Sequence, residues 1–275
     1  MPRLFIIDSL KVVGIICVVI HHLDSYINLN APLLFFHLNL APSFNLDIGR
    51  IGVWLFIFAS GASLALSNNH FDSFSDIRSF YKKRLLRIYP IYWVGVLLSL
   101  ELIPKIPMLT LVDYLRNFAG FQIFFITNND WEKINGSYWF IGLIISLYLL
   151  YPIVYLAIKK RPNISLLLLF SVYIVSRLIM WYLFPQFTGG VDWFPLCRIF
   201  EFGLGIYVIQ RGWYPSFNST RVLAFLGVLS FYVFIVHGVF LHVIAQSFQG
   251  LFLFVVLTLL VACVIYLFDI FIRIL

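Results

Sequence analysis

Lys11 and His22 stand eleven positions apart in the stretch SLKVVGIICVVIHHLD, and the ten residues between them are almost all apolar. On an α-helix eleven positions make close to three turns, so the ammonium and the imidazole share a face about 16 Å apart along the axis. Histidine is the side chain best suited to take a proton near neutral pH, and His22 could therefore activate a hydroxyl. His21 points about a quarter turn aside, and Asp24 follows. The same spacing also describes a membrane helix with a lysine at one interface and histidines at the other, and the stretch alone does not separate these readings.

A second group that could do chemistry is FYKKRLLRIYPIYW at 80–93. Arg84 and Arg87 are three positions apart, so both guanidinium groups project from one helix face, and arginine binds phosphate in a bidentate manner. Anchoring against anionic lipid headgroups accounts equally well for Lys82 and Lys83. Further ionisable residues interrupt apolar runs: Arg177 in VSRLIMW, Arg198 and Glu201 in CRIFEFGLG, and His237 in SFYVFIVHG. Ionisable groups at membrane depth are costly and usually face a bundle interior or an aqueous cavity. Arg198 and Glu201, at i and i+3, can pair. Each group also has a structural reading: an ion pair locking helices, an arginine reaching for the interface, an interior histidine with its hydrogen bonds satisfied.

The elements that must position these groups follow from composition. The chain has 275 residues, 62% of them hydrophobic, 19% aromatic and 11% charged, with a mean hydropathy of +0.96. No soluble domain could bury that much apolar surface, so the expectation is an integral membrane protein of the all-α, polytopic transmembrane helix-bundle class, with one domain over 1–275. The net charge of +7 then reports cytoplasmic loops rather than nucleic acid binding. Cys17, Cys197 and Cys263 lie in apolar runs without metal-like spacing, so neither a metal site nor disulfides are expected.

Windows long enough to cross a bilayer fall at 5–24, 48–67, 87–103, 137–158, 164–184, 193–210, 222–244 and 251–272, giving about eight spans. With both termini in the cytoplasm, the inner side receives Arg3, the cluster from Arg78 to Arg87, Lys159–Arg161, Arg211, Arg221 and Arg273. The segment TLVDYLRNFAGFQIFFI at 110–126 carries Asp113 and Arg116; counting it as a span would throw the Lys159–Arg161 cluster outside, so it is expected to be interfacial or re-entrant. On this topology His22, Arg177, Arg198, Glu201 and His237 come to similar depth in the outer half, as a polar chamber opening outward. No internal repeat or phosphate-binding glycine loop stands out, which argues against an inverted-repeat transporter.

Six motifs in order then resemble the acyltransferase-3 family of integral membrane acyltransferases, nearest its surface-polysaccharide O-acetyltransferases. Asp8, Lys11 and His22 resemble the opening Asp, Arg or Lys, ten residues, His. GVWLFIFASGASLAL is similar to the second-span pattern ending in Ser-Gly, here Ser60 and Gly61. Arg84 and Arg87 with Tyr89, Pro90 and Trp93 match the Arg-x-x-Arg signature. YWFIGLIISLYLLYP, RIFEFGLG and SFYVFIVHG resemble three later motifs. Departures are Ile144 and Ile145 where many relatives carry acidic residues, and Trp54 where Asp is frequent.

The resemblance implies that acetyl-CoA, or another short acyl-CoA, is a co-substrate taken from the cytosol with no tightly bound cofactor. It implies a glycan or lipid-linked sugar acceptor and a setting in the cell membrane, among membrane lipids and polysaccharide-assembly proteins. It makes His22 the catalytic base and Lys11 its paired motif residue, puts Arg84 and Arg87 on the donor's phosphates, and has Glu201 and His237 line the chamber. Arg177 or Arg198 would steady a developing oxyanion. The alternative from another class is a saccharide or anion transporter using the same polar groups, which would need no acyl donor.

Overall fold

The computed structural model describes residues 3–30, 39–41, 46–67, 71–103, 109–124, 134–184, 190–215, 217–244 and 248–274. The chain folds into helices α1 (Phe5–Asn30), α2 (Ile48–Ala65), α3 (Phe74–Leu102), α4 (Leu111–Ala119), α5 (Trp139–Lys160), α6 (Pro162–Leu183), α7 (Gly190–Trp193), α8 (Ile199–Gln210), α9 (Arg221–Ile244) and α10 (Phe248–Ile274). A short antiparallel pairing of β1 (Asn39–Ala41) with β2 (Leu46–Asp47) precedes α2. Among the described residues seven helices (α1, α2, α3, α5, α6, α9 and α10) are long and apolar enough to cross a membrane. The fold class is all-α and polytopic.

The sixth of the expected spans, at 193–210, is not one helix. It is divided into α7, a 3-10 turn over Pro195–Arg198, and α8. Pro195 lacks an amide hydrogen and forces the residue before it out of the helical region, and Phe194 is accordingly extended at φ −73°, ψ 126°. The twelve residues of α8 reach only about 18 Å, short of a hydrocarbon core of roughly 30 Å. The third helix is longer than expected: α3 has 29 residues and starts at Phe74, so the basic cluster at 78–87 is helical throughout.

The expected interfacial or re-entrant segment contains α4, nine residues long and too short to span. Its ends are chemically specified. Thr110 and Asp113 form a reciprocal capping box, and Gly120 closes the helix at φ 73°, a conformation glycine adopts without steric cost. Tyr89 on α3 donates its hydroxyl to the Ala119 carbonyl at 2.7 Å, which seats α4 against α3.

Contacts sort the chain into two compact units interleaved in sequence. The first takes in Ile57–Pro90 and Met108–Ser216, and the second Arg3–Phe56, Ile91–Pro107 and Phe217–Leu275. In the first unit, the α2–α8 crossing is close because glycines face backbone: a Cβ on Gly61 would overlap the Phe202 carbonyl, and one on Gly205 the Phe58 carbonyl.

In the second unit α1 and α9 start together and run in the same direction. Phe5 donates its amide to the Phe217 carbonyl (2.9 Å), Ser219 donates its amide to the Arg3 carbonyl (2.9 Å), and the Arg3 guanidinium reaches the Ala224 carbonyl. Asp8, 4% exposed, accepts the Ser219 hydroxyl at 2.6 Å. This clasp pins the entry of both helices and so sets the register of everything further along them. α2 runs back against α1, and the two backbones nearly touch at Gly14 and Gly52. α10 is joined to α9 by the Tyr232 hydroxyl donating to Asp269 at 2.7 Å, both side chains buried.

Candidate active site

Lys11 and His22 lie on one unbroken helix, α1, so the eleven-position spacing is realised as three turns. Toward the end of α1, in the second unit, the rings of His22 and His237 face each other with centroids 5.2 Å apart and planes 43° apart. His237 is fully buried. Its Nδ1 lies 2.6 Å from the Phe234 carbonyl one turn earlier on α9. A carbonyl oxygen can only accept, so in the neutral ring the proton sits on Nδ1 and Nε2 keeps a lone pair. That Nε2 makes no hydrogen bond to any described residue.

His21 pairs with a carboxylate. Its Nδ1 lies 3.4 Å from Asp47 Oδ1, and Asp47 also accepts the Arg50 amide at 2.8 Å and pairs with the Arg50 Nε at 3.4 Å. Gly49 leaves the space His21 occupies: a Cβ there would fall 2.5 Å from the ring. His21 and His22 meet edge-on at 5.4 Å. Three imidazoles and one carboxylate thus gather where α1, α2 and α9 meet within the second unit. Among the described residues no group of three or more His, Cys, Asp or Glu side chains could hold a metal ion.

The remaining candidates lie in the first unit. Arg84 and Arg87 share α3 but not one environment. Arg84 is half-buried, its guanidinium over the Phe80 ring at 5.4 Å, whereas Arg87 is exposed. Phe80 stacks on Tyr151 at 5.1 Å, and the Tyr81 hydroxyl donates to the Leu149 carbonyl at 2.8 Å. Arg84 is therefore level with the middle of α5, two to three turns from the Lys159–Lys160 end. The sequence places this pair at the inner surface; the structure seats Arg84 inside an aromatic wall of the unit.

Arg198 and Glu201 pair at 3.3 Å, but the stronger partner of Arg198 is Asp192. Arg198, wholly buried, donates from one guanidinium nitrogen to Asp192 Oδ1 at 2.7 Å and from Nε to the Asp192 carbonyl at 2.9 Å. Arg177 adds a longer contact to the same carboxylate at 3.7 Å and lies over the Tyr173 ring at 5.3 Å. Two arginines thus surround two acids, and Glu201 Oε2 is buried without a hydrogen bond to any described residue. Three N–H groups of the Arg198 guanidinium are thus engaged, two by Asp192 and one by Glu201.

Sequence reasoning missed Asp192 and Asp47. Asp47 ends the two-residue β2 and Asp192 lies in the four-residue α7, elements too short for periodicity to mark, and their partners are fixed only by tertiary packing. Asp47 before the start of α2 is the one with a readable signal, as an acidic residue favoured at a helix N-terminus.

No curated protein and no solved structure matches the chain. Residues 4–220 match the acyltransferase-3 family model, described as an acyltransferase domain. That span holds His22, the arginine pair and the Asp192–Arg198 cluster, and the chain belongs to the acyltransferase-3 family of membrane acyltransferases.

Proposed function

We propose that the protein is a membrane O-acyltransferase that moves an acetyl or other short acyl group from a cytosolic acyl-CoA to a hydroxyl of a cell-surface or lipid-linked glycan. The observation that carries this reading is the His22–His237 pairing in a chain of this family. Because Phe234 engages Nδ1 of His237, the buried ring beside His22 is held in one tautomer. His22, on the less buried side of the pair, is the general base. It takes the proton of the acceptor hydroxyl as that oxygen attacks the thioester carbonyl, and the thiolate of CoA leaves.

Arg84 and Arg87 supply cations for the donor's pyrophosphate, Arg87 from an exposed position and Arg84 from its seat on Phe80. Lys11, three turns before His22 on α1, sits toward the clasp end of that helix, and both termini face the cytoplasm in this reading.

Acyl transfer in sealed, oriented vesicles tests it, with labelled acetyl-CoA on the cytosolic side and glycan outside. Wild type should label glycan, His22→Ala should not, and Arg84→Ala/Arg87→Ala should need far more donor. Transfer by His22→Ala at the wild-type rate overturns the assignment of the base, and a wild type that moves saccharide without any acyl donor supports a transporter instead.

A further inference from the structure

Where the ends of α5 and α8 meet the start of α6, the first unit holds a cavity of about 400 Å³. Ala65 and Ile158 on its wall are buried, while Lys159 and Arg211 stand exposed at its rim. The walls are tied together: Gln210 Nε2 donates to the Tyr155 carbonyl at 3.2 Å, and the Tyr207 hydroxyl donates to Asn163 at 2.9 Å. Arg211 lies over the Trp213 ring at 5.6 Å, and Trp213 meets Tyr207 edge-on at 5.4 Å, which restrains the guanidinium at the rim. Tyr155 and Tyr214 add aromatic lining.

A mainly polar lining with two tyrosines and Gln210 under two cations suits a ligand with a hydrogen-bonding flat heterocycle and a phosphate. The volume is at the small end of the roughly 300–1,000 Å³ typical of ligand pockets, enough for a nucleoside but not for an entire acyl-CoA. Such a donor carries charge in two places, its pyrophosphate and its ribose 3′-phosphate. The first unit likewise holds two cation groups: the Tyr155 ring of the cavity touches Tyr151 at 5.5 Å, on which Phe80 and then Arg84 are layered.

We propose that this cavity binds the adenosine 3′-phosphate end of acyl-CoA, with Lys159 and Arg211 on the 3′-phosphate. The proposal rests on the acyl-CoA reading above. An anionic lipid headgroup presents the same phosphate chemistry, and the experiment separates the two.

The test is binding of CoA and of dephospho-CoA, which lacks the 3′-phosphate, to the full-length protein in phosphatidylcholine nanodiscs. Lys159→Gln/Arg211→Gln should weaken CoA binding about tenfold or more, as expected for losing charge-assisted hydrogen bonds. Wild type should bind dephospho-CoA about as weakly as the variant binds CoA, and the variant should not distinguish the two. Equal CoA affinity in variant and wild type overturns the cavity assignment while leaving the acyl-CoA reading intact. Unchanged CoA binding with lost retention of added phosphatidylglycerol also overturns it, in favour of a lipid site. A wild type that binds no CoA removes the acyl-CoA reading and this proposal together.

Discussion

The His237 ring, closed off from solvent, packs 5.2 Å from the ring of His22, and its Nδ1 is occupied by the carbonyl of Phe234. His237 therefore meets His22 with one nitrogen committed and the other bearing a lone pair. The two side chains come from opposite ends of the sequence, and the clasp of Asp8 on Ser219 brings their helices into register.

If Nδ1 serves only to hold the ring and Nε2 does the work, amide substitutions should separate the two. An asparagine places its amide near the Nδ1 position and a glutamine near Nε2. His237→Gln should keep more acyl transfer than His237→Asn, at unchanged donor KM. The rate should fall on acidification in wild type and in His237→Gln alike, since a general base must be unprotonated. Equal transfer by His237→Gln and His237→Asn would remove the Nε2 of His237 from the proton chemistry.

The α1–α2 crossing predicts a graded response to added methyl groups. A Cβ on Gly52 would sit 2.7 Å from the Gly14 carbonyl oxygen, which is backbone and cannot yield, whereas one on Gly14 would meet Gly52 O at 3.1 Å and the Phe56 ring at 3.2 Å. Gly52→Ala should cost about 1–3 kcal/mol, the usual range for overpacking, and Gly14→Ala less. Thermal unfolding in detergent by tryptophan fluorescence checks the order. Gly49→Ala should act differently, by displacing His21 from Asp47, so its effect should appear mainly in activity.

Much of this is legible in the sequence wherever the relationship runs along one helix. Lys11 to His22 and Arg84 to Arg87 are local spacings, and hydropathy finds the long helices because a bilayer demands a fixed length of apolar chain. Hydropathy does not register the break at Pro195, since CRIFEFGLG is apolar whether or not it continues a helix begun earlier. Nor does any local pattern join Arg198 to Asp192 or His22 to His237. Those contacts depend on a proline-bent segment folding back and on two helices from opposite ends of the chain lying side by side.

Asp192 and Arg198 form the tightest buried ion pair described, at 2.7 Å with Arg198 wholly enclosed. Removing one partner of a buried pair leaves the other charge uncompensated and typically costs about 3–5 kcal/mol. Asp192→Asn and Arg198→Gln should each lower stability by that order, and the double variant should cost clearly less than the sum. Measured chemical denaturation of the three proteins gives the coupling energy. Additive losses would mean that the pair is not a unit and that Glu201 or Arg177 replaces the missing partner.

The clasp at the start of α1 and α9 makes the most discriminating structural prediction, because it acts at a distance from His22. Asp8 is nearly enclosed, accepts the Ser219 hydroxyl at 2.6 Å and lies against Gly227, where a Cβ would come within 2.7 Å of its Oδ1. Ser219→Ala removes one charge-assisted hydrogen bond, worth roughly 1.5–3 kcal/mol, and leaves the helix register intact. Gly227→Ala instead pushes Asp8 away and shifts α9 along α1. Since His237 lies ten residues beyond Gly227, about 15 Å along the helix, that shift moves its ring relative to His22. Ser219→Ala should therefore lose stability with little change in kcat. Gly227→Ala should lose kcat out of proportion to its stability, with donor binding unchanged. A cysteine pair at 22 and 237, followed by cross-linking in the Gly227→Ala background, would show the displacement directly; undiminished cross-linking would show that the clasp does not set the histidine register.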